Sequence, residues 1–356
     1  MYNGRMDILT ERRPLGKSGM MVPPIIFGTS AMGNLYVELS PEQKKTIAAE
    51  WFSHVAPPAV LDSAGKYGAG LALETIGRLL RELGVTPDGV VISNKLGWKR
   101  APLKGPEPTF EPGVWKNLAF DAVQAISYSG MKECWEQGCE LLGDPYRPDL
   151  VSVHDPDEYI DGAADAGDRE RRLSDVLDAY RALGELKRSG QTSAVGIGSK
   201  DWRVIQEVSR QVDLDWIMLA CSLTIYTHPQ ELLEFVEELN TKGVGIINSA
   251  VFNAGFLTGG SYFDYRIPDP AEDAELFRWR ERFFALCTRH GVKPADACVE
   301  FGLSAPGVCS VALNTANPSR VAQNVESVGR HAPAEFWDDM KSESLIDPEY
   351  SYVGEG

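Results

Sequence analysis

Ala59-Val60-Leu61-Asp62-Ser63-Ala64-Gly65-Lys66-Tyr67-Gly68, running on to Leu73 and Glu74, is the stretch from which the rest of the chain can be read. Its apolar start has the length and composition of a buried strand, and it stops at an acid, Asp62. A turn of small residues then presents Tyr67, and Gly70-Leu71-Ala72-Leu73-Glu74-Thr75-Ile76-Gly77 begins a helix expected over about 71–83. A carboxylate at the end of a buried strand is costly unless a positive group pairs with it. The chain must therefore supply a cation elsewhere.

The same strand-then-helix unit recurs in both directions from this stretch. Upstream, residues 10–24 read as a hairpin about Gly16-Lys17-Ser18-Gly19, and Ile25-Ile26-Phe27 is a strand ending in Gly28-Thr29-Ser30. Ser40 followed by Pro41 marks the start of a helix expected to run to about His54. Downstream, Val90-Val91-Ile92-Ser93-Asn94-Lys95 is a strand that ends on a lysine. A loop over 96–120, with Trp98, Trp115 and four prolines, follows; a loop of that length in a compact unit is usually functional.

A helix over about 129–142 leads to Leu150-Val151-Ser152-Val153-His154, a strand that ends on a histidine. Further pairs follow: a helix at 172–189 and strand 193–198; a helix at 202–211 and strand 216–220; a helix at 229–240 and strand 243–248. Helical segments at 272–290 and 294–304 then precede strand 308–312 and a helix from Asn317 to Val328. Residues 332–356 read as a tail with no strong pattern after Trp337.

Eight such units without a linker of domain size predict a (β/α)8 TIM barrel with an N-terminal β-hairpin and long rim loops. The expected organisation of residues 1–356 is one unit: the hairpin at about 10–24, the barrel at about 25–330 and the tail at 331–356. A doubly wound sheet is the competing fold, but no G-x-G-x-x-G follows the first strand.

Composition narrows the function classes. Hydrophobic residues make up 43% of the 356, enough for a large core. A formal charge of -16 argues against nucleic acid or an anionic membrane as the main partner. No apolar run reaches membrane-spanning length, and Met1 to Arg5 lack the apolar core of a signal peptide. The six cysteines show no C-x-x-C and no metal spacing, as expected for reduced thiols in a cytoplasmic protein.

In a barrel of this kind the strand C-termini converge on one face, where chemistry resides. Those termini bring Asp62, Lys95 and His154, with Tyr67 just beyond. An ion pair alone would account for Asp62 and Lys95, and a single histidine at a strand end is more often a core residue. Together the four suit proton transfer at an oxygen that becomes an alkoxide. A nearby ammonium would lower the tyrosine's pKa, Asp62 would fix Lys95, and His154 would orient a carbonyl. No further histidines or carboxylates stand where they would complete a zinc or divalent-ion site.

The chain resembles an aldo-keto reductase from Arg12 to about Val328. The pieces that carry the likeness are Arg13-Pro14-Leu15-Gly16 with Phe27-Gly28-Thr29, Asp62-x-x-x-x-Tyr67-Gly68 with Glu74-x-x-Gly77, Ser93-Asn94-Lys95, Val153-His154-Asp155-Pro156-Asp157, and Pro318 to Asn324. The resemblance implies a catalytic tetrad of Asp62, Tyr67, Lys95 and His154, with Tyr67 as general acid and base and hydride passing to or from a nicotinamide. His154 to Asp157 and Val251 to Leu257 look most like the sugar 1-dehydrogenase branch, which holds D-threo-aldose (L-fucose) dehydrogenases and pyridoxal dehydrogenase-like enzymes.

By the same resemblance, Gly28, Thr29 and Asp62 lie beside the nicotinamide. Ser199 stands where the family usually has an asparagine, and Met218 where it commonly has a glutamine. Phe252, Asn253, Gly255 and Leu257 wrap the pyrophosphate through backbone N–H groups, and Asn314, Thr315, Arg320 and Asn324 meet the adenosine end. Many NADPH-preferring members have a lysine at the position of Asn314, so NAD and NADP are both expected to bind. The expected substrate is a sugar or another small polar aldehyde or alcohol, met by Trp98, Lys99, Arg100 and Trp115. The competing reading is a nucleotide-sensing regulatory subunit, as the potassium-channel β subunits of this fold can be.

Overall fold

The computed structural model describes residues 8–354; the opening residues read for a leader lie outside them. Eight parallel strands close a barrel: β1 (Ile25–Gly28), β2 (Ala59–Ala64), β3 (Val90–Leu96), β4 (Leu150–His154), β5 (Ala194–Ser199), β6 (Trp216–Ala220), β7 (Gly245–Ser249) and β8 (Val308–Leu313). Each strand pairs with the next, and β8 pairs with β1. Apolar residues on both faces of these strands suit a sheet lined inside by packed side chains and covered outside by helices.

The helices start where local chemistry permits. Ser40 and Gln43 form a reciprocal capping box ahead of Pro41–His54, which satisfies two free backbone donors. The helix Leu71–Leu83 ends at Gly84 in the left-handed conformation, the expected stop.

The interior of the barrel is filled by Ile26, Val60, Val91, Leu150, Ala194, Trp216, Met218, Ile247 and Cys309, all buried. Leu15 and Val22, from the short hairpin Arg13–Pro14 and Met21–Val22, join this cluster. The hairpin stoppers the end opposite the strand C-termini: a Cβ on Gly16 would lie 2.2 Å from the backbone nitrogen of Gly245. The other end stays open for a site.

Three parts depart from the sequence reading. The 96–120 segment is not loop throughout, because Trp98–Pro102 pairs antiparallel with Phe120–Gln124 as a ribbon above the barrel rim. The helix expected at 172–189 begins earlier, at Ala166, where Asp165 caps it, and a short helix Pro156–Asp161 precedes it. The C-terminal segment is structured. It forms the helix Ala334–Ser342 and inserts Phe336, Trp337, Met340, Leu345, Ile346, Tyr350 and Val353 into the main core. Tyr350 stacks on Phe301 at 4.4 Å between ring centroids, and Trp279 donates to the carbonyl of Leu345 at 3.0 Å.

Candidate active site

Strand register places the polar side chains on one face. Asp62 lies opposite Ser93, Lys95 opposite Ser152, and His154 opposite Gly198. Successive side chains alternate faces, so Asp62, Ser93, Lys95, Ser152 and His154 all point into the barrel. Lys95 sits two residues beyond Ser93, and its long chain reaches back to Asp62, forming a buried ion pair between Nζ and Oδ2. Ser93 donates its hydroxyl to the other oxygen, Oδ1, at 3.2 Å. Gly198 lies beside this arrangement, where a Cβ would come into ordinary contact with the Lys95 Cδ at 3.4 Å.

Tyr67 is set by the turn after β2. Gly68 is in the left-handed region at φ 61, and a Cβ on it would lie 2.4 Å from the carbonyl oxygen of Gly33. A side chain at that position is excluded on both counts. The Tyr67 ring stands 4.9 Å from Lys95 Nζ, 5.6 Å edge-on from His154 and 5.8 Å from Trp115. The four residues expected as a tetrad therefore meet in one place.

The electrostatics differ from the sequence reading in one respect. Burial, followed by the carboxylates of Asp62 and Asp155, pushes the Tyr67 phenol well above its ordinary value, and Lys66 is the cation that opposes the shift. The expected lowering is outweighed: Lys95 is matched by Asp62, and the ring is withdrawn from water. Burial, reinforced by Lys95 and Lys66, holds His154 well below the usual histidine range, so it is neutral at physiological pH. Its buried Nδ1 has no hydrogen-bond partner among the described residues.

These groups line a cleft of about 830 Å³, mouth included, whose walls also contain Tyr36, Lys66, Glu111, Asp155, Lys200 and Tyr265. Of the four residues expected on the substrate side, Trp115 lines it, and the other three are engaged elsewhere. Trp98 carries Lys66 5.1 Å over its ring. Lys99 pairs with Glu133 at the surface. Arg100 donates to the carbonyl of Ala69 and to Glu74, both at 2.8 Å. In the ribbon the two side chains take opposite faces, Lys99 towards Glu133 and Arg100 towards Ala69 and Glu74, a consequence of its pairing that a loop reading does not contain.

Ser199 and Met218 line the cleft. Thr29 is fully buried and donates both its N–H and its hydroxyl to the Asp62 carbonyl, at 3.0 and 2.9 Å, tying β1 to β2. Gly28 lies against Asn314, whose Cβ would be 3.0 Å from a side chain there. Thr315 and Asn324 are partly exposed and Arg320 is exposed, all in or near the first turns of the helix Ser319–Val328.

The loop after β7 differs from expectation. The N–H groups of Asn253, Gly255 and Leu257 already donate to Ala250, Phe252 and Phe252, at 2.7, 2.9 and 3.2 Å, so the donors expected to face a pyrophosphate are engaged within the loop. Asn253 donates its amide to Asp264 at 2.9 Å; among the described residues its buried Oδ1 has no partner, nor has the Tyr36 hydroxyl. The Ser199 hydroxyl and the orphaned Tyr36 oxygen, both at the cleft, fit a polar ligand laid across the strand ends.

The sequence reading passed over Lys66, Glu111 and Asp155. Two of them had a signal in adjacency, since Lys66 precedes Tyr67 and Asp155 follows His154; Glu111 had none.

Comparison with known proteins agrees with this geometry. The model for "Aldo/keto reductase family" matches residues 24–344. Pyridoxal 4-dehydrogenase of Microbacterium luteolum is 29% identical over 353 residues, covering 95% of this chain and 98% of that one. D-threo-aldose 1-dehydrogenase of Pseudomonas sp is 27% identical over 343 residues, covering 92% and 96%. An aldo-keto reductase from Bacillus halodurans, solved in its holo form, superposes with a TM-score of 0.67 at 20% identity over 97% and 99% of the two chains, a likeness of fold. The barrel, the convergence of Asp62, Tyr67, Lys95 and His154 at its mouth, and the match over residues 24–344 place this chain in the Aldo/keto reductase family of oxidoreductases.

Proposed function

We propose that this protein is an NAD(P)-dependent oxidoreductase acting on a sugar or another small polar aldehyde or alcohol, as an aldose 1-dehydrogenase or a sugar-aldehyde reductase, and that residues 8–354 work as one catalytic unit. The observation that carries the reading is the meeting of Tyr67, His154 and the buried Lys95–Asp62 pair in one cleft. The two curated dehydrogenases, aligned over nearly the full chain, support it. A bound nicotinamide would supply or accept the hydride. Ser199 and Met218 would hold that end, and Asn314, Thr315, Arg320 and Asn324 the other.

The chain's own residues handle the proton. Tyr67 is protonated at neutral pH, so it is ready to donate to a carbonyl oxygen in reduction; in oxidation it takes the hydroxyl proton. Neutral His154 donates one hydrogen bond to the same oxygen and orients it. Asp62 holds the Lys95 ammonium beside the phenol, where the positive charge steadies a phenolate as it forms. Six free cysteines suit a reducing compartment, and a cytoplasmic location is part of the proposal.

The test is nucleotide absorbance with both NAD and NADP against a panel of aldoses, pyridoxal and small aldehydes, in both directions. Turnover of polar carbonyls supports the reading. Tight nucleotide binding without turnover of any of them would overturn it and favour a nucleotide sensor.

A further inference from the structure

Lys66, immediately before the catalytic tyrosine, is 3% exposed yet charged. Its Nζ lies 2.8 Å from Glu158, 2.9 Å from Glu111 and 3.5 Å from Asp155, carboxylates 92, 45 and 89 positions away along the chain. Burial works against its charge, but the carboxylates of Asp155, Glu111 and Glu158 outweigh it and hold the pKa above the usual lysine value. Lys200 adds a second ammonium, 2.5 Å from Glu158. Lys66, Glu111, Asp155 and Lys200 line the cleft, and with Glu158 the cluster has three carboxylates against two ammonium groups. Lys95, the remaining lysine at the cleft, is matched by Asp62.

Asp155 is the least committed member of this cluster. Its contacts, to Lys66 at 3.5 Å and to His154 Nε2 at 3.4 Å, are both long and both fall on Oδ2. It is held in the left-handed region at φ 45, a conformation that costs energy outside glycine and that clusters at functional sites. Its N–H donates to the Gly198 carbonyl at 3.0 Å, which fixes it beside His154. Pro156 then starts the short helix, and Asp157 accepts from the N–H groups of Lys200 and Asp201 at 3.2 and 2.9 Å, pinning the neighbouring strand exit. A histidine donor and a carboxylate acceptor so placed match a carbonyl oxygen and a hydroxyl on the neighbouring carbon.

We propose, on the basis of the function given above, that Asp155 is a specificity-determining residue that accepts a hydrogen bond from a hydroxyl next to the reacting carbon. Lys66 is its positioning residue, and the excess carboxylate of the Lys66–Lys200 cluster excludes anionic substrates. The substrate class is then an uncharged α-hydroxy carbonyl or the corresponding alcohol. Phosphorylated and carboxylated counterparts are rejected, because each nearby lysine is already paired and like charge meets like.

Wild type, Asp155→Asn and Asp155→Ala should be assayed with NADH and NADPH on lactaldehyde against propanal, and on glyceraldehyde against glyceraldehyde 3-phosphate. Wild type is expected to favour lactaldehyde over propanal by about tenfold or more in kcat/KM, the effect of one charge-assisted hydrogen bond, and to favour glyceraldehyde over its phosphate through like-charge rejection. In Asp155→Ala the lactaldehyde preference falls to within about threefold; in Asp155→Asn the rejection of phosphate weakens. A structural role for Asp155 would lower all rates and leave these ratios unchanged. Equal wild-type efficiency on lactaldehyde and propanal, or ratios unmoved in both variants, would overturn this inference and leave the oxidoreductase reading standing. Absence of turnover on every carbonyl would overturn both.

Discussion

Replacing Lys95 with methionine removes the ammonium and keeps most of the side chain's bulk. Asp62, 4% exposed, is then left with the Ser93 hydroxyl at 3.2 Å and no cation. Breaking one side of a buried pair costs about 3–5 kcal/mol, because the surviving charge stays out of water. With an unfolding entropy of about 2.1 cal/mol/K per residue, a chain of 356 residues should lose about 4–7 °C in Tm. The variant should also lose turnover, since the charge that steadies the Tyr67 phenolate is gone. The second step is Asp62→Asn, alone and combined with Lys95→Met. Removing both charges together should cost less than the two single losses added, by at least about 1 kcal/mol, because no buried charge is left unpaired. Thermal and urea unfolding of the four proteins reads this coupling. Losses that add within about 0.5 kcal/mol, or a Lys95→Met protein with parental Tm and rate, would refute the pairing and the role built on it.

Other expectations follow from the same geometry. Because His154 is held neutral and Tyr67 is held protonated, reduction should show no inflection near pH 6.5, the ordinary histidine value. Oxidation needs the phenolate, whose fraction rises with pH, so its rate should still be climbing at about pH 10, the ordinary tyrosine value; a plateau reached below that pH would contradict the raised tyrosine. Arg320→Ala should weaken NADP about tenfold and NAD little, since a guanidinium recognises a 2′-phosphate; a wild-type preference for NADP above about a hundredfold would contradict dual use. Trp337→Ala should cost about 3–5 kcal/mol, the usual loss for a buried tryptophan, as measured by denaturant unfolding; a change below about 1 kcal/mol would mean that the C-terminal segment is peripheral to the core.

The strands were legible as short apolar runs, and three of them carry Asp62, Lys95 and His154 at or within two residues of the C-terminal end. The ribbon over 98–124 was not, because its two strands are separated by a proline-rich span that masks their pairing. The C-terminal segment hid for another reason. After Trp337 its buried residues, Met340, Leu345, Ile346, Tyr350 and Val353, follow neither a helical nor a strand period, since only part of the segment is helix. The Lys66 cluster was invisible because its partners, Glu111, Asp155 and Glu158, lie on separate parts of the chain that only the closed barrel brings together. Lys99 and Arg100 show the converse. A cation in a rim loop looks like a substrate contact until backbone pairing fixes which way it faces.

The central claim is that Tyr67 moves the proton. Its most direct test is kcat for wild type and Tyr67→Phe on the best substrate of the panel, with nucleotide affinity measured in parallel by fluorescence. The account predicts a fall in kcat of about 10² or more, in line with general acid–base catalysis, with nucleotide affinity unchanged within a few-fold. Turnover within about threefold of wild type would contradict it and place the proton donor elsewhere in the cleft.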